Sequence, residues 1–354
     1  MLYLAESIRQ IDFANVRSRP TIRDVAEHAG VSPSTVSVVL NDTDGARVAA
    51  DTRRRVAESA EFLGYSADPT ARALRTQRTH TIGFVSDVIA TTPYAGRLVQ
   101  GAQDAAWRED MLMLLVNTGG DAQYEQEAIR TLVHRRVDGI VYATMYHRIV
   151  DVPAVGGGIP VVLLDARPAG EPVPCVAPDE AAGAALAVTE LLRHGHRRVG
   201  LALNLEDVPA AVERLRGYRD TLASHGIAFD ADLVVREDST AQGGRRAVQR
   251  LLDLPDPPTG IFCFADRMAM GGYQAAAERG LRIPQDLSFV GFDDQDEIAS
   301  ALWPGLTTVA LPHYEMGVWA VEVLLGLREE AAMETRMPCP LIQRQSVGTP
   351  GSAG

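Results

Sequence analysis

Most of the short apolar runs in this chain close on a polar side chain. They read 81-TIGFVSD-87, 111-MLMLLVN-117, 139-GIVYA-143, 160-PVVLLDA-166, 199-VGLALN-204, 260-GIFCFAD-266 and 287-LSFVGFDD-294, and their far ends supply Ser86, Asp87, Asp165, Asn204, Asp266, Asp293 and Asp294. Carboxylates gathered in this way can accept hydrogen bonds from a polyhydroxylated or amino-bearing ligand. They can also hold Mg²⁺ for phosphoryl transfer. A single Asp at a strand end is as readily a helix cap, so it is the cluster that favours a shared ligand. A second group is 32-SPSTVS-37, whose small hydroxyls can approach phosphates and base edges closely.

Other chemistry is excluded by what is missing. All 34 basic residues are arginine, which removes P-loop, Schiff-base and general-base lysines. Neither G-x-S-x-G nor H-E-x-x-H occurs. Gly156, Gly157 and Gly158 precede a strand, not the helix N-terminus a phosphate cradle requires. His194 and His196 flank Gly195 between a helix and a strand and read as loop residues. Cys175, Cys263 and Cys339 are odd in number, far apart and without a C-x-x-C pair, which points to buried thiols, with neither disulfide nor zinc. No metal and no cofactor are expected.

The elements that must position these groups alternate strictly. Helical stretches at 96–109, 122–135, 182–194, 209–225, 241–253 and 267–280 separate the apolar runs. Strand and helix in alternation mean parallel sheets covered on both faces, and ligands of such sheets sit beyond the carboxyl ends of the strands. The length of 354 residues suits two such sheets better than one.

Ahead of them lies a segment of different character. Thr21 and Asp24 form a capping-box variant, and Ile22, Val25, Ala26 and Ala29 make one apolar stripe that stops at Gly30. Ser32 is a good N-cap, Pro33 suits the first helical position, and Val36, Val39 and Leu40 supply a buried side before Asn41. This is a helix-turn-helix, with Ser34, Thr35, Ser37 and Val38 facing outward. A third helix runs from about Thr52 to Leu63.

The formal net charge is −12, yet residues 16 to 80 carry ten arginines against eight acids. An acidic body tens of ångströms from a nucleic acid is largely screened, so the head can bind phosphates. The longest apolar runs are strand-sized, far short of a membrane span. Residues 1 to 20 contain no continuous apolar block, and read as a disordered extension, not a secretory signal. A cytoplasmic location is expected.

The head resembles that of the LacI/GalR family of bacterial transcription regulators, typically T-x-x-D-V-A-x-x-A-G-V-S-x-x-T-V-S-R-x-L-N. It matches at Thr21, Asp24, Val25, Ala26, Ala29, Gly30, Val31, Ser32, Thr35, Val36, Ser37, Leu40 and Asn41. Val38 replaces the arginine that contacts guanine, and a valine can instead touch a thymine methyl. The segment 65-YSADPTARALRTQRT-79 resembles the family's hinge, which implies that Leu74, with Ala71 and Arg72 beside it, wedges into the minor groove. The resemblance implies DNA contacts from Thr21, Ser32, Pro33, Ser34, Thr35, Ser37, Val38, Asn41, Ala71, Arg72 and Leu74.

The body resembles the family's periplasmic-binding-protein-like fold, two lobes of parallel sheet joined by three crossovers with an effector between them. The resemblance implies effector contacts from Ser86, Tyr94, Asp165, Arg214, Asp266 and Asp293. Ala265 replaces the usual Asn before Asp266, and Ser239 falls where many relatives carry an aromatic residue. The expected organisation is an α/β chain: extension 1–20, helix-turn-helix head 21–66, hinge 67–80, and effector-binding and dimerisation domain 81–348. Its N-lobe is about 81–178 and 311–338, its C-lobe about 179–310 and 339–348. The expected function is a dimeric, ligand-responsive repressor of a palindromic operator, with a sugar-like or nucleoside-like effector and no enzymatic activity. A Mg-dependent phosphoryl-transfer enzyme and a solute-binding protein are the competing readings.

Overall fold

The computed structural model describes residues 20–40, 48–65, 78–92, 96–153, 155–328 and 332–351. The chain divides into two compact units, Met1–Thr79 and His80–Gly354.

The described part of the first unit is three helices, α1 (Ile22–Ala29), α2 (Pro33–Leu40) and α3 (Ala50–Leu63). Thr21 N–H donates to Asp24 Oδ2 at 2.6 Å and Asp24 N–H donates to Thr21 Oγ1 at 3.4 Å, so two orphan amides of α1 are satisfied reciprocally. The helix ends at Gly30 in the left-handed conformation, φ 66°, which lets the chain turn at once into α2. Val25, Ala26, Ala29, Val36, Val56 and Ala60 form the core between the three helices, a small core suited to a small unit. The third helix begins at Ala50, two residues before the position expected from sequence.

The second unit holds two six-stranded sheets. The first contains β1 (Thr81–Ser86), β2 (Leu112–Asn117), β3 (Gly139–Val150), β4 (Val161–Pro168), β5 (Cys175–Pro178) and β11 (Glu334–Met337), in the order β11-β5-β4-β3-β1-β2. The second contains β6 (Val199–Asn204), β7 (Val234–Glu237), β8 (Gly260–Cys263), β9 (Ser288–Asp293), β10 (Thr307–Ala310) and β12 (Leu341–Ile342), in the order β12-β10-β9-β8-β6-β7. Every pairing is parallel except β10 with β12.

Helices cover both faces, as all-parallel pairing requires. In the N-lobe these are α4 (Gly96–Arg108), α5 (Ala122–His134) and α11 (His313–Leu324); in the C-lobe, α6 (Glu180–Arg193), α7 (Pro209–Ser224), α8 (Ala241–Leu252), α9 (Asp266–Glu278) and α10 (Asp296–Ala299). The chain crosses between lobes after Pro178, after Ala310 and after Met337. Phe84 in one sheet and Phe262, Phe289 and Phe292 in the other are fully buried, each contributing roughly 1.5–3 kcal/mol.

Two helix crossings are tight enough to demand glycine. A Cβ on Gly101 of α4 would lie 2.0 Å from the Tyr314 carbonyl oxygen of α11, and one on Gly317 would lie 2.1 Å from that of Leu98. In the C-lobe a Cβ on Gly244 of α8 would meet the Met268 carbonyl at 2.1 Å, and one on Gly271 of α9 the Ala241 carbonyl at 1.8 Å. The second crossing seats the start of α8 against the start of α9, where two cavity residues stand.

Candidate effector cleft and helix-turn-helix face

Three of the strand-end acids, Asp165, Asp293 and Asp294, sit on left-handed backbone. Strand β3 loses register with β4 between Ala143 and Arg148, and inside this bulge Tyr146 and His147 take left-handed φ of 67° and 54°. Asp165 at the end of β4 has φ 51°, and Asp293 and Asp294 at the end of β9 have φ 110° and 53°. Left-handed backbone at non-glycine residues costs energy and concentrates at functional sites. Asp87 fastens the bulge: its Oδ1 accepts from Ile89 N–H at 2.9 Å and its Oδ2 from Met145 N–H at 3.0 Å.

Between the lobes, at the carboxyl ends of both sheets, lies a narrow cavity of about 20 Å³, room for little more than a water molecule. Ile89, Met145, Tyr146, Asp165 and Pro178 line it from the N-lobe strands and their loops; Glu180, Ala210, Arg214, Ser239, Phe264, Arg267 and Asp293 line it from the C-lobe; Leu311 and His313 complete it from the second crossover.

Arg214 is the hub. Its guanidinium is buried, lies 4.3 Å from the Phe264 ring centroid and 3.6 Å from that of Phe292, and donates through Nε to Glu180 Oε2 at 2.6 Å and through Nη1 to the Phe264 carbonyl. Nη1 also lies 3.8 Å from Asp293 Oδ1. Burial pushes the Glu180 carboxyl up while Arg214 pulls it down, and the two form a buried ion pair. Asp293 accepts from Gln295 Nε2 at 2.7 Å; burial pushes its carboxyl up to about 6, against the pull of Arg214.

Asp165 is different. Burial and then the Glu180 charge push its carboxyl far above the usual carboxylate range, and its Oδ1 is buried without a hydrogen-bond partner. Its main-chain carbonyl accepts from Thr144 Oγ1 at 2.8 Å, and a hydrogen bond from the His147 main chain pulls the carboxyl the other way without offsetting burial. Neighbouring His147 is fully buried, and burial with the Arg167 and Arg336 charges pushes it down to about 3. It stays neutral across the physiological range.

Of the effector residues expected from sequence, the structure brings Asp165, Arg214 and Asp293 to one cavity. It does not bring Ser86 or Asp266 there. Ser86 Oγ faces Asn117 Oδ1 at 3.5 Å within the N-lobe sheet. Asp266 is fully buried, its Oδ2 accepting from Gln295 N–H at 2.7 Å and its Oδ1 from Thr308 Oγ1 at 2.6 Å. It ties α9 to β9 and β10 inside the lobe, a use of strand-end acid that sequence does not separate from ligand binding. Tyr94 lies outside the described residues. Sequence reasoning missed Glu180, Tyr146, Phe264, Arg267 and His313; Glu180 follows Asp179, the N-cap of α6, and reads as an ordinary first-turn acid.

The three cysteines are buried thiols. His196 is bonded through Nδ1 to Thr259 Oγ1 at 2.8 Å and through Nε2 to the Gly348 carbonyl at 2.9 Å, stapling the C-terminal segment to the C-lobe.

In the first unit, Thr21, Ser32, Pro33 and Ser34 are exposed, Thr35, Ser37 and Val38 are half-buried, and Val36 on the opposite side of α2 is fully buried. Ser32 Oγ accepts from Thr35 N–H at 3.1 Å and shares hydrogen bonds with Ser34 Oγ at 2.7 Å and Thr35 Oγ1 at 2.8 Å. These hydroxyls gather where the helix dipole is positive, a setting that favours phosphate. Asn41, Ala71, Arg72 and Leu74 lie outside the described residues.

Two family descriptions match the chain: "Bacterial regulatory proteins, lacI family" over residues 21–68, and "Periplasmic binding proteins and sugar binding domain of LacI family" over residues 79–345. The ribose operon repressor of Haemophilus influenzae is 34% identical over 307 residues, covering 86% of this chain and 91% of its own. The HTH-type transcriptional repressor CytR of Escherichia coli is 32% identical over 330 residues, covering 92% and 96%. Among solved structures, the lac repressor dimer bound to operator and the anti-inducer ONPF superposes with a TM-score of 0.79 at 26% identity, covering 94% of this chain and all of that one.

Proposed function

Because the chain belongs to the LacI family of bacterial regulatory proteins, we propose that it is a cytoplasmic, dimeric repressor that binds a palindromic operator through α2 and is switched by a small polar effector in the inter-lobe cavity. The observation that carries this reading is the pairing, in one chain, of a helix with an outward hydroxyl face and a cavity walled by Arg214, Asp293 and Asp165. A symmetric dimer presents its reading helices about one helical turn apart, which matches a palindromic site. The lac repressor dimer bound to operator supports both the dimer and the DNA partner. The ribose and CytR repressors support a sugar-like or nucleoside-like effector.

The competing reading as a Mg-dependent enzyme is not favoured. Asp266 has both carboxylate oxygens engaged inside the lobe, and Asp293 is shared between Gln295 and Arg214. Glu180 is paired with Arg214, and among the described residues no group of three or more His, Cys, Asp or Glu is placed to hold a metal ion, whereas a divalent cation held by carboxylates in phosphoryl transfer needs several oxygen ligands. The protein is accordingly proposed to bind and not to turn over its ligand.

The test is fluorescence anisotropy of DNA from the chain's own upstream region with the full chain, with and without small polar compounds. Binding that weakens steeply with salt is expected, and an effector should shift it about 5- to 150-fold. Indifference to that DNA at every salt concentration overturns the proposal.

A further inference from the structure

Tyr146 belongs to the N-lobe but packs on both lobes. It sits in the bulge of β3, and among the described residues it is the only partly buried apolar side chain packed against a core of each lobe. On the C-lobe side it meets Phe264, with ring centroids 6.0 Å apart and planes inclined at 58°, within the range of favourable tilted aromatic pairs. Phe264 is itself braced. Its ring lies 4.3 Å from the Arg214 guanidinium and its carbonyl accepts from Arg214 Nη1, while Arg214 is tied to Glu180 at 2.6 Å and laid over Phe292 at 3.6 Å. The N-lobe ring therefore docks against a rigid C-lobe wall.

The mount of the ring is of the opposite kind. Tyr146 and His147 are successive non-glycine residues on left-handed backbone, φ 67° and 54°, in a stretch where β3 has lost register with β4. Such backbone persists only where surrounding contacts over-determine it. Within the N-lobe the Met145 amide is held by Asp87 Oδ2 at 3.0 Å and the His147 amide by the Asp165 carboxyl; the Tyr146 ring supplies the contact that reaches the other lobe. The space it borders is only about 20 Å³, so the ring and its neighbours fill the region between the lobes. A ring that fills the gap from a strained mount is a two-state catch: ring in with the bulge strained, or ring out with the bulge relaxed.

We propose that Tyr146 is a latch that keeps the two lobes closed on each other, released when the β3 bulge relaxes and withdraws the ring from Phe264. Anything larger than a water molecule enters the cavity only with the latch undone, so the apparent affinity of any ligand is lowered by the fraction of molecules that are still latched. This deepens the regulator reading above and rests on it for that consequence, whereas the latch itself rests on Tyr146 and its contacts.

The experiment is an inter-lobe distance measurement by pulsed electron spin resonance on the full chain, with spin labels on Gln100→Cys in α4 and Glu297→Cys in α10. Both positions are exposed and stand beside the Arg97–Asp296 pair. The three native cysteines are buried, and the chain without the introduced cysteines is the labelling control. The parent, Tyr146→Phe, Tyr146→Leu and Tyr146→Ala are compared, and the operator affinity of each is measured by anisotropy. Tyr146→Leu and Tyr146→Ala lengthen the distance by more than about 2 Å, while Tyr146→Phe, which keeps the ring, gives the parent distribution. Folding is read as a cooperative thermal transition, and Tyr146→Leu, which keeps apolar bulk, carries the test if Tyr146→Ala does not fold. The parent distance in the leucine and alanine variants overturns the latch, and so does a lengthened distance in Tyr146→Phe. A lengthened distance with operator affinity altered about fivefold or more supports both the latch and its part in the switch. A lengthened distance with unchanged operator affinity supports the latch and removes the switch from the regulator reading. A parent that binds no operator removes that reading altogether, and the distances still decide the latch.

Discussion

Asp165 carries an energetic conflict in the ligand-free protein. Its carboxylate is buried, has an unpartnered oxygen and sits near Glu180, so ionising it in the ligand-free protein is costly. An acid whose pKa is raised by folding contributes stability that is present below its unfolded pKa and lost as pH rises through the folded value. For Asp293 that window runs from the ordinary 3.8 to about 6, and the loss corresponds to about 3 kcal/mol at neutral pH. Buried His147, pushed down to about 3, acts in the opposite direction over the same range, so the loss should be read as a difference: between pH 4 and 7 the urea midpoint of the ligand-free parent should fall relative to that of an Asp293→Asn variant. Asp165→Asn should raise that midpoint at pH 7, by about 1–2 kcal/mol, because the amide carries no charge and Asn tolerates the left-handed backbone found there. The same variant should weaken effector binding at least tenfold. A lower midpoint for Asp165→Asn at pH 7 would show that its charge is stabilising after all. The sequence displayed these acids as a set at strand ends, and three of the six effector residues expected from it do line one cavity. It could not tell Asp165 from Asp266, because the difference lies in Thr308 and in the main chain of Gln295, partners brought up by other strands.

At the scale of elements, the alternation of apolar runs with helices was enough to foresee two parallel sheets. The short members escaped it. Strands β5, β7, β10, β11 and β12 have two to four residues each, below the length at which a period can be read. Strand β3 was legible only to Ala143, since its continuation to Val150 depends on a bulge that local sequence does not announce. Helix α11 has a nearly uniform apolar sequence, HYEMGVWAVEVL, because it is buried against α4, where one-sided periodicity fades. That crossing yields a sharp prediction. Gly101→Ala places a methyl group 2.0 Å from the Tyr314 carbonyl, a rigid neighbour that cannot rotate away. It should destabilise the protein by roughly 1–3 kcal/mol or more, read as a lower thermal midpoint. Gly96→Ala at the start of the same helix meets nothing within 4 Å and should be neutral or slightly stabilising. Equal midpoints for the two variants would mean that α4 and α11 shift apart freely.

For the molecule as a whole, the lobes are joined by three crossovers and share one cavity, so effector affinity depends on how readily they come together as well as on the contacts inside. Arg97 in the first turn of α4 and Asp296 at the start of α10 form an ion pair between lobes, 199 residues apart in sequence. Both side chains are about 60% exposed, so the pair contributes at most about 1 kcal/mol and is screened by salt. Asp296 follows directly on Gln295, which holds Asp293 in the cavity wall, so the pair sits on the same piece of chain that lines the cavity. Arg97→Ala should lower effector affinity about twofold to fivefold at low ionic strength, and the difference from the parent should vanish in ~1 M salt, where the Debye length falls to about 3 Å. Affinity measured at two ionic strengths decides it. If Arg97→Ala matches the parent at both, closure is driven by the cavity alone, by Arg214, Asp293, Asp165 and the ligand they enclose. If the deficit persists in high salt, Arg97 contributes through packing of its aliphatic stem and not through its charge.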